Sequence, residues 1–120
     1  MQTQKINIVC EDGYSITGTL FFCDLPQKEN NNKNIVIINP ALAVPQTYYA
    51  HFAEFLAENN YTVVTFDYRG IGQSIDPAIH GSSIKMEHWG RYDFHAVLEK
   101  VLRCYKTVGQ LGQNSRVFIR

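Results

Sequence analysis

Two β-branched runs, one helix length apart, limit what this chain can fold into. Ile35-Val36-Ile37-Ile38 has no polar face, so it reads as a central strand covered on both sides. Tyr61-Thr62-Val63-Val64-Thr65-Phe66 reads as a second buried strand. Between them, Asn39 to Pro45 reads as a rigid small-residue loop. Gln46 to Asn59 then reads as an amphipathic helix, with Tyr48, Tyr49, Phe52, Phe55 and Leu56 at helical spacing and expected in the core. Asn59-Asn60 is a helix stop, because asparagine tolerates the left-handed conformation. Strand, helix, strand with short connections is a βαβ unit, whose strands run parallel with a right-handed crossover.

The second strand runs straight into Asp67-Tyr68-Arg69-Gly70-Ile71-Gly72-Gln73-Ser74. Two glycines at alternate positions predict a tight turn. Arg69 offers a planar donor fork, for the Asp67 carboxylate or for a neighbouring carbonyl. Turn chemistry alone accounts for such a corner. The functional reading is the rim of a site, since ligands bind at the carboxyl ends of parallel strands.

The flanks complete an α/β pattern. Residues 4–10 and 14–24 alternate around Glu11-Asp12-Gly13, which predicts an antiparallel hairpin with a bulge at Gly18. Pro26 to Asn34 is a polar surface loop, and Ile75 to Ser83 is a second loop. A long helix is expected from Lys85 or Glu87 to Val108, with Trp89, Phe94, Val97, Leu98, Val101, Leu102 and Tyr105 on its apolar stripe. Ser115 to Ile119 opens one more strand. The expected fold is one α/β domain over residues 1–120, with an antiparallel hairpin leading into a parallel βαβ unit.

Composition removes several function classes. Lys+Arg and Asp+Glu are both 11, so no basic patch points to nucleic acid or an anionic membrane. No apolar run approaches the ~20 residues of a membrane span, and the first residues lack a signal-peptide layout. Cys10, Cys23 and Cys104 are widely spaced without a CxxC pair, which predicts buried thiols and a reducing, cytoplasmic setting. His51, His80, His88 and His95 form no zinc-binding pattern. Gly70-x-Gly72 lacks the rest of a dinucleotide fingerprint. No metal and no cofactor is expected.

Three segments together resemble the N-terminal half of the α/β-hydrolase superfamily. Asp67 to Ser74 is similar to its D-x-R-G-x-G-x-S segment. Ile37-Ile38-Asn39-Pro40-Ala41-Leu42 stands where relatives carry a His-Gly oxyanion loop, and Trp89-Gly90-Arg91-Tyr92-Asp93-Phe94 resembles the helix before the nucleophile strand. With Val44-Pro45-Gln46, these resemble bacterial predicted hydrolases close to serine aminopeptidase-like and lysophospholipase-like enzymes. The resemblance implies serine-dependent hydrolysis of an ester or amide. It covers only the first half of that family's domain, so the chain reads as truncated.

The family's nucleophile stands in a G-x-S-x-G elbow, with the acid and histidine later in the chain. No such elbow occurs in these 120 residues: Gly72-Gln73-Ser74-Ile75-Asp76 and Gly81-Ser82-Ser83 both lack the last glycine. No catalytic residue is therefore assigned. Ser74 with His80 is a weak alternative nucleophile and base. The resemblance makes the backbone N–H of Ala41 or Leu42 the oxyanion-hole candidate, since Pro40 has none. Asp67, Arg69, Gly70, Gly72 and Ser74 are assigned as structural motif residues. A chain lacking the triad is expected to be silent alone, and to meet an ester or amide substrate only with the other half supplied. The alternative is an assembly module. An open edge at Ile35–Ile38 would then pair with a second copy, or with a separately encoded complementing chain.

Overall fold

The computed structural model describes residues 1–23, 34–41, 43–78, 83–107 and 116–119. Strands β1 (Gln2–Val9) and β2 (Ser15–Phe22) form the expected hairpin. Their register runs unbroken from Gln2↔Phe22 to Val9↔Ser15, so Gly18 marks no bulge. It allows close packing instead. A Cβ there would lie 2.9 Å from the Thr65 carbonyl oxygen and 3.1 Å from Ile6 Cγ1.

Strand β3 (Asn34–Ile37) and strand β4 (Tyr61–Phe66) are parallel, and β4 pairs antiparallel with β2. The last strand, β5 (Arg116–Ile119), pairs parallel with β3 from Asn34↔Arg116 to Ile37↔Ile119. The sheet order is β1-β2-β4-β3-β5. This corrects the expectation of an open edge at Ile35–Ile38. Four residues of β5 match the four of β3, so β3 is interior, and among the described residues the edges of the sheet are β1 and β5.

Both faces of the sheet are covered. Ile35, Ile37, Val64 and Phe66 face a cluster with Ile8, Ile16, Val97 and Val101. Val36, Ile38, Val63 and Phe21 face Ala53 and Ala57 on the other side. The alternation along β3 and β4 is the period of two that side chains on a strand must follow.

The expected first helix is a 3-10 turn, Gln46–Tyr49, followed by α1 (Ala50–Glu58). Its orientation differs from the expectation. Ala53 and Ala57 are fully buried, whereas Tyr48, Phe52 and Phe55 are 76%, 49% and 59% exposed. The small alanines let α1 approach the sheet closely; Tyr49 and Leu56 pack against that cluster as expected, while the rings of Tyr48, Phe52 and Phe55 end on the outer side.

The second helix is interrupted. Met86–His88 (α2) leads into a π-helical stretch, Trp89–Phe94, and then α3 (His95–Thr107). The wider turn belongs to the kind often found at functional or strained positions. Asp93, Val97 and Val101 share the buried line of this helix, with Asp93 fully buried. The expected last residue, Val108, lies outside the described residues.

Candidate functional site

At the end of β4, side chains still alternate. Thr65 and Asp67 turn toward the start of α1, while Phe66 and Tyr68 join the cluster under α3. Asp67 is 1% exposed, and its carboxylate accepts three N–H bonds. They come from Gln46 N at 2.7 Å, Gln46 Nε2 at 2.8 Å and Gln73 N at 3.0 Å. Gln46 is itself buried, and its Oε1 accepts from Thr65 Oγ1 and Thr19 Oγ1, both at 2.9 Å. One carboxylate thus holds the loop after β3 against the loop after β4.

Gly72 is required by this arrangement. Its φ is +52°, and a Cβ would stand 2.7 Å from Asp67 Oδ2. Gly70, at φ +79°, turns the chain beneath Ile84. The Ile71 N–H donates to the Tyr68 carbonyl across that turn at 3.0 Å.

The turn also separates Arg69 from Asp67, so the expected pairing between them is replaced by another. Strand alternation ends at Tyr68, and Arg69 swings to the α3 side of the sheet. Its backbone N–H and Nε donate to Asp93 at 2.8 and 2.9 Å, and Nη2 lies 2.8 Å from Asp93 Oδ1. Nη1 and Nη2 reach Asp12 at 2.6 and 3.0 Å. The guanidinium carbon lies 4.7 Å from the Tyr14 ring centroid and 5.4 Å from that of Tyr92, in cation–π range. Burial opposes the charge on Arg69, but its bonds to Asp12 and Asp93 outweigh it and hold the guanidinium protonated. The same Arg69 bonds hold the Asp12 carboxyl below its usual range. Beside them, Cys10 Sγ lies 3.3 Å from Asp93 Oδ1, and burial together with the Asp93 charge pushes the thiol up to about 12.

Ser74 is 2% exposed. Its Oγ donates to the Asp67 carbonyl at 2.7 Å and accepts from Thr17 N at 2.8 Å. The Tyr14 hydroxyl donates to the Ser74 carbonyl at 2.8 Å. A hydroxyl so committed ties the corner to the hairpin and is a poor nucleophile. His80, its suggested partner, lies outside the described residues.

The loop after β3 carries the oxyanion candidates. The Ala41 N–H donates to the Tyr49 hydroxyl at 2.9 Å, so this donor is already engaged. Leu42 lies outside the described residues. Ala43 holds φ +60°, and Val44 N bonds back to the Ala41 carbonyl at 3.1 Å. Upstream, the Tyr68 hydroxyl donates to Asn39 Oδ1. Tyr68 stacks on Trp89 with ring centroids 5.2 Å apart, and burial raises its phenol above the usual value. Trp89 Nε1 donates to the Arg69 carbonyl at 3.1 Å. The loop is therefore braced from β4, from the π-helical stretch and from the 3-10 turn.

Among the described residues, no group of three or more His, Cys, Asp or Glu could hold a metal ion. His51 and His95 stand exposed beside Glu54 and Glu99. Also among the described residues, no helix is long and apolar enough to cross a membrane. The sequence reading placed Asp67, Gly70, Gly72 and Ser74 at the corner but missed the partners that hold them. Gln46 is a buried amide at a helix start, and Asp93 is an acid within an apolar stripe. Only the second irregularity was visible as a pattern.

No family model matches the sequence, and no curated protein matches it. Solved structures do match. A hypothetical protein of Pseudomonas aeruginosa superposes with a TM-score of 0.69 at 16% identity, over 98% of this chain and 34% of that one. An esterase of Pyrococcus furiosus gives 0.65 at 19% identity, over 98% and 41%. A lidless serine hydrolase of Xanthomonas campestris gives 0.54 at 21% identity, over 87% and 45%. The chain has the α/β-hydrolase fold, and it spans less than half the length of these matched chains.

Proposed function

We propose that this chain is the scaffold-bearing N-terminal half of a serine hydrolase of ester or amide bonds, and that it is catalytically silent by itself. The observation that carries this reading is the Asp67–Gln46 lock. It fixes two loops at the carboxyl ends of adjacent parallel strands, where open α/β sheets bind ligands. The esterase and serine hydrolase that share the fold support hydrolysis as the chemistry. Silence follows from the residues present. No G-x-S-x-G elbow occurs in the sequence, and Ser74 is buried in the corner. In this reading Ala41 and Leu42 offer the first oxyanion donor, and Tyr49 must release the Ala41 N–H before it can serve. In this reading a small ester or amide is met only when the other half of the domain is supplied, no cofactor takes part, and the setting is cytoplasmic.

Incubation of the purified chain with a p-nitrophenyl ester tests the silence. No turnover is expected. Turnover abolished by a serine-directed phosphonate would overturn it. The coding DNA downstream tests the ancestry. An in-frame G-x-S-x-G supports an interrupted hydrolase gene, and unrelated sequence counts against it.

A second reading is favoured by one feature, the place of β5 at the end of the sheet order. Among the described residues no strand pairs with its outer edge, and unpaired edges template association. In this reading the chain is an assembly module that takes a complementing chain there. A sharp monomer with cooperative unfolding, unchanged in cell extract, would argue against it.

A further inference from the structure

The loop after β3 carries a second donor, the side-chain amide of Asn39. Ladder bonding continues past β3 to Ile38, whose N–H donates to the Val64 carbonyl at 2.9 Å. Side chains alternate along this stretch, so Asn39 follows Ile35 and Ile37 to the face under α3, where Phe66 and Tyr68 also lie. Pro40 behind it restricts Asn39 to extended backbone, which fixes where its side chain leaves the loop.

The Tyr68 hydroxyl donates to Asn39 Oδ1. The Tyr68 ring is itself held, edge-on to Phe66 at 5.0 Å between centroids and stacked on Trp89 at 5.2 Å. Burial raises its phenol, so the hydroxyl keeps its proton. With Oδ1 committed, the amide plane is set and Nδ2 turns away from Tyr68. Asn39 is exposed, and among the described residues nothing accepts from Nδ2. Ala41, two residues on, is the opposite case, since Tyr49 already engages its N–H.

We propose that the Asn39 NH2, aimed by Tyr68, donates to the carbonyl oxygen of an ester or amide substrate as that oxygen gains negative charge. This rests on the hydrolase reading above and deepens it with a side-chain donor that is ready while the Ala41 N–H is not. Asn39 only donates. No bond at it is made or broken, and the nucleophile comes from the other half of the domain. An NH2 offers two N–H donors and no acceptor, so it takes an oxygen of the acyl group and neither a cation nor a metal. Asn39 touches the substrate, and Tyr68 is a positioning residue.

The chain by itself suffices for the test, with butyrate as the probe, because a carboxylate presents the oxygens of a charged acyl centre. In nitrogen–proton correlation spectra, butyrate should shift the Asn39 side-chain NH2 pair saturably. The NH2 pair of Asn7, also exposed but on β1, should stay in place. Asn39→Asp keeps an acceptor for Tyr68 and removes only the NH2, so it should weaken binding about tenfold or more. Asn39→Leu should do the same without adding charge. Tyr68→Phe keeps both ring contacts and frees the amide to rotate. It should weaken binding about threefold to tenfold, and bring the Asn39 NH2 signals toward those of a freely solvated amide before any butyrate is added. Equal shifts at Asn39 and Asn7, a shift confined to the Ala41 N–H, or no shift at all would overturn the proposal. So would an Asn39→Leu or Tyr68→Phe chain that binds as the wild type does. Turnover of the p-nitrophenyl ester would overturn the silence of the chain and leave the butyrate result standing, so the two failures are distinguishable.

Discussion

Gln46 holds the Asp67 carboxylate twice, through its backbone N–H at 2.7 Å and its Nε2 at 2.8 Å. The two residues are 21 positions apart and both buried, so the contact joins the start of the α1 segment to the end of β4. Every group on the Asp67 carboxylate is a donor. Asp67→Asn replaces one acceptor oxygen with an NH2 that must face an N–H. The expected loss is about 2–3 kcal/mol in a urea titration, typical of a buried donor left unsatisfied next to a charged-group bond. A loss below 0.5 kcal/mol, on the order of a neutral surface change, would show that the lock is dispensable.

Arg69 is the other pillar of the corner. It is 3% exposed and sits between Asp93, which is fully buried, and Asp12. Removing one member of a buried pair leaves the other charge uncompensated, which costs about 3–5 kcal/mol. Arg69→Met roughly keeps volume and removes every side-chain donor, leaving only the backbone N–H on Asp93, so it should lower stability by that amount or leave the chain unfolded. Arg69→Met with Asp93→Leu should recover part of it. Calorimetry of the single and double variants measures the difference.

Gly72 meets two constraints together. Its φ of +52° is left-handed, and the Asp67 carboxylate occupies the space of a side chain. Gly72→Ala should cost about 2 kcal/mol from conformation alone, and more from the collision, because the blocking atoms are themselves locked by three bonds. Gly13→Ala serves as the control. It also has positive φ, +94°, but nothing lies within 4 Å of a Cβ there. The difference between the two losses in chemical denaturation isolates the steric part.

These residues mark where sequence reasoning succeeds and where it stops. The βαβ unit was legible because β-branched runs and turn residues act locally. Gly70 and Gly72 were legible because positive φ selects glycine. The Asp67–Arg69 pairing was misread, since nearness in sequence says nothing about which face a side chain takes after a turn. Phe52 and Phe55 were assigned to the core because spacing marks an apolar stripe without choosing between two opposite ones, and alanine forms a face as well as phenylalanine does. The place of β5 beside β3 needed a contact between residues about 80 apart, which no local pattern encodes.

Acid should weaken the corner through Asp12. The Arg69 bonds depress its folded-state pKa below the usual 3.8. A depressed carboxyl contributes stability above its unfolded value, and that contribution is lost as pH falls through the folded value. Stability should therefore hold from neutrality down to about pH 4 as far as this group is concerned, and decline below it. Asp12→Asn should be less stable than wild type at neutral pH, and its decline below pH 4 should be shallower. Melting temperatures in a buffer series from neutral to acid check both the sign and the window.

Cys10 should be the slow thiol. It is 3% exposed and contacts the Asp93 carboxylate, and its pKa is pushed up to about 12 from an ordinary 9.0. Three units of pKa lower the thiolate fraction at mildly alkaline pH about a thousandfold, and only the thiolate attacks an alkylating agent. Cys23, after β2, is partly exposed and lacks this burial. Iodoacetamide on the native chain should therefore modify Cys23 while Cys10 stays free, as read by peptide mass mapping. In urea the two should react at similar rates, because burial and the Asp93 contact both vanish on unfolding. Arg69→Met provides the link to the corner. Its loosened cluster should open Cys10 to alkylation under conditions where the wild-type thiol stays protected. Equal native rates for Cys10 and Cys23 would mean that the Asp12–Arg69–Asp93 cluster does not seal this side of the sheet.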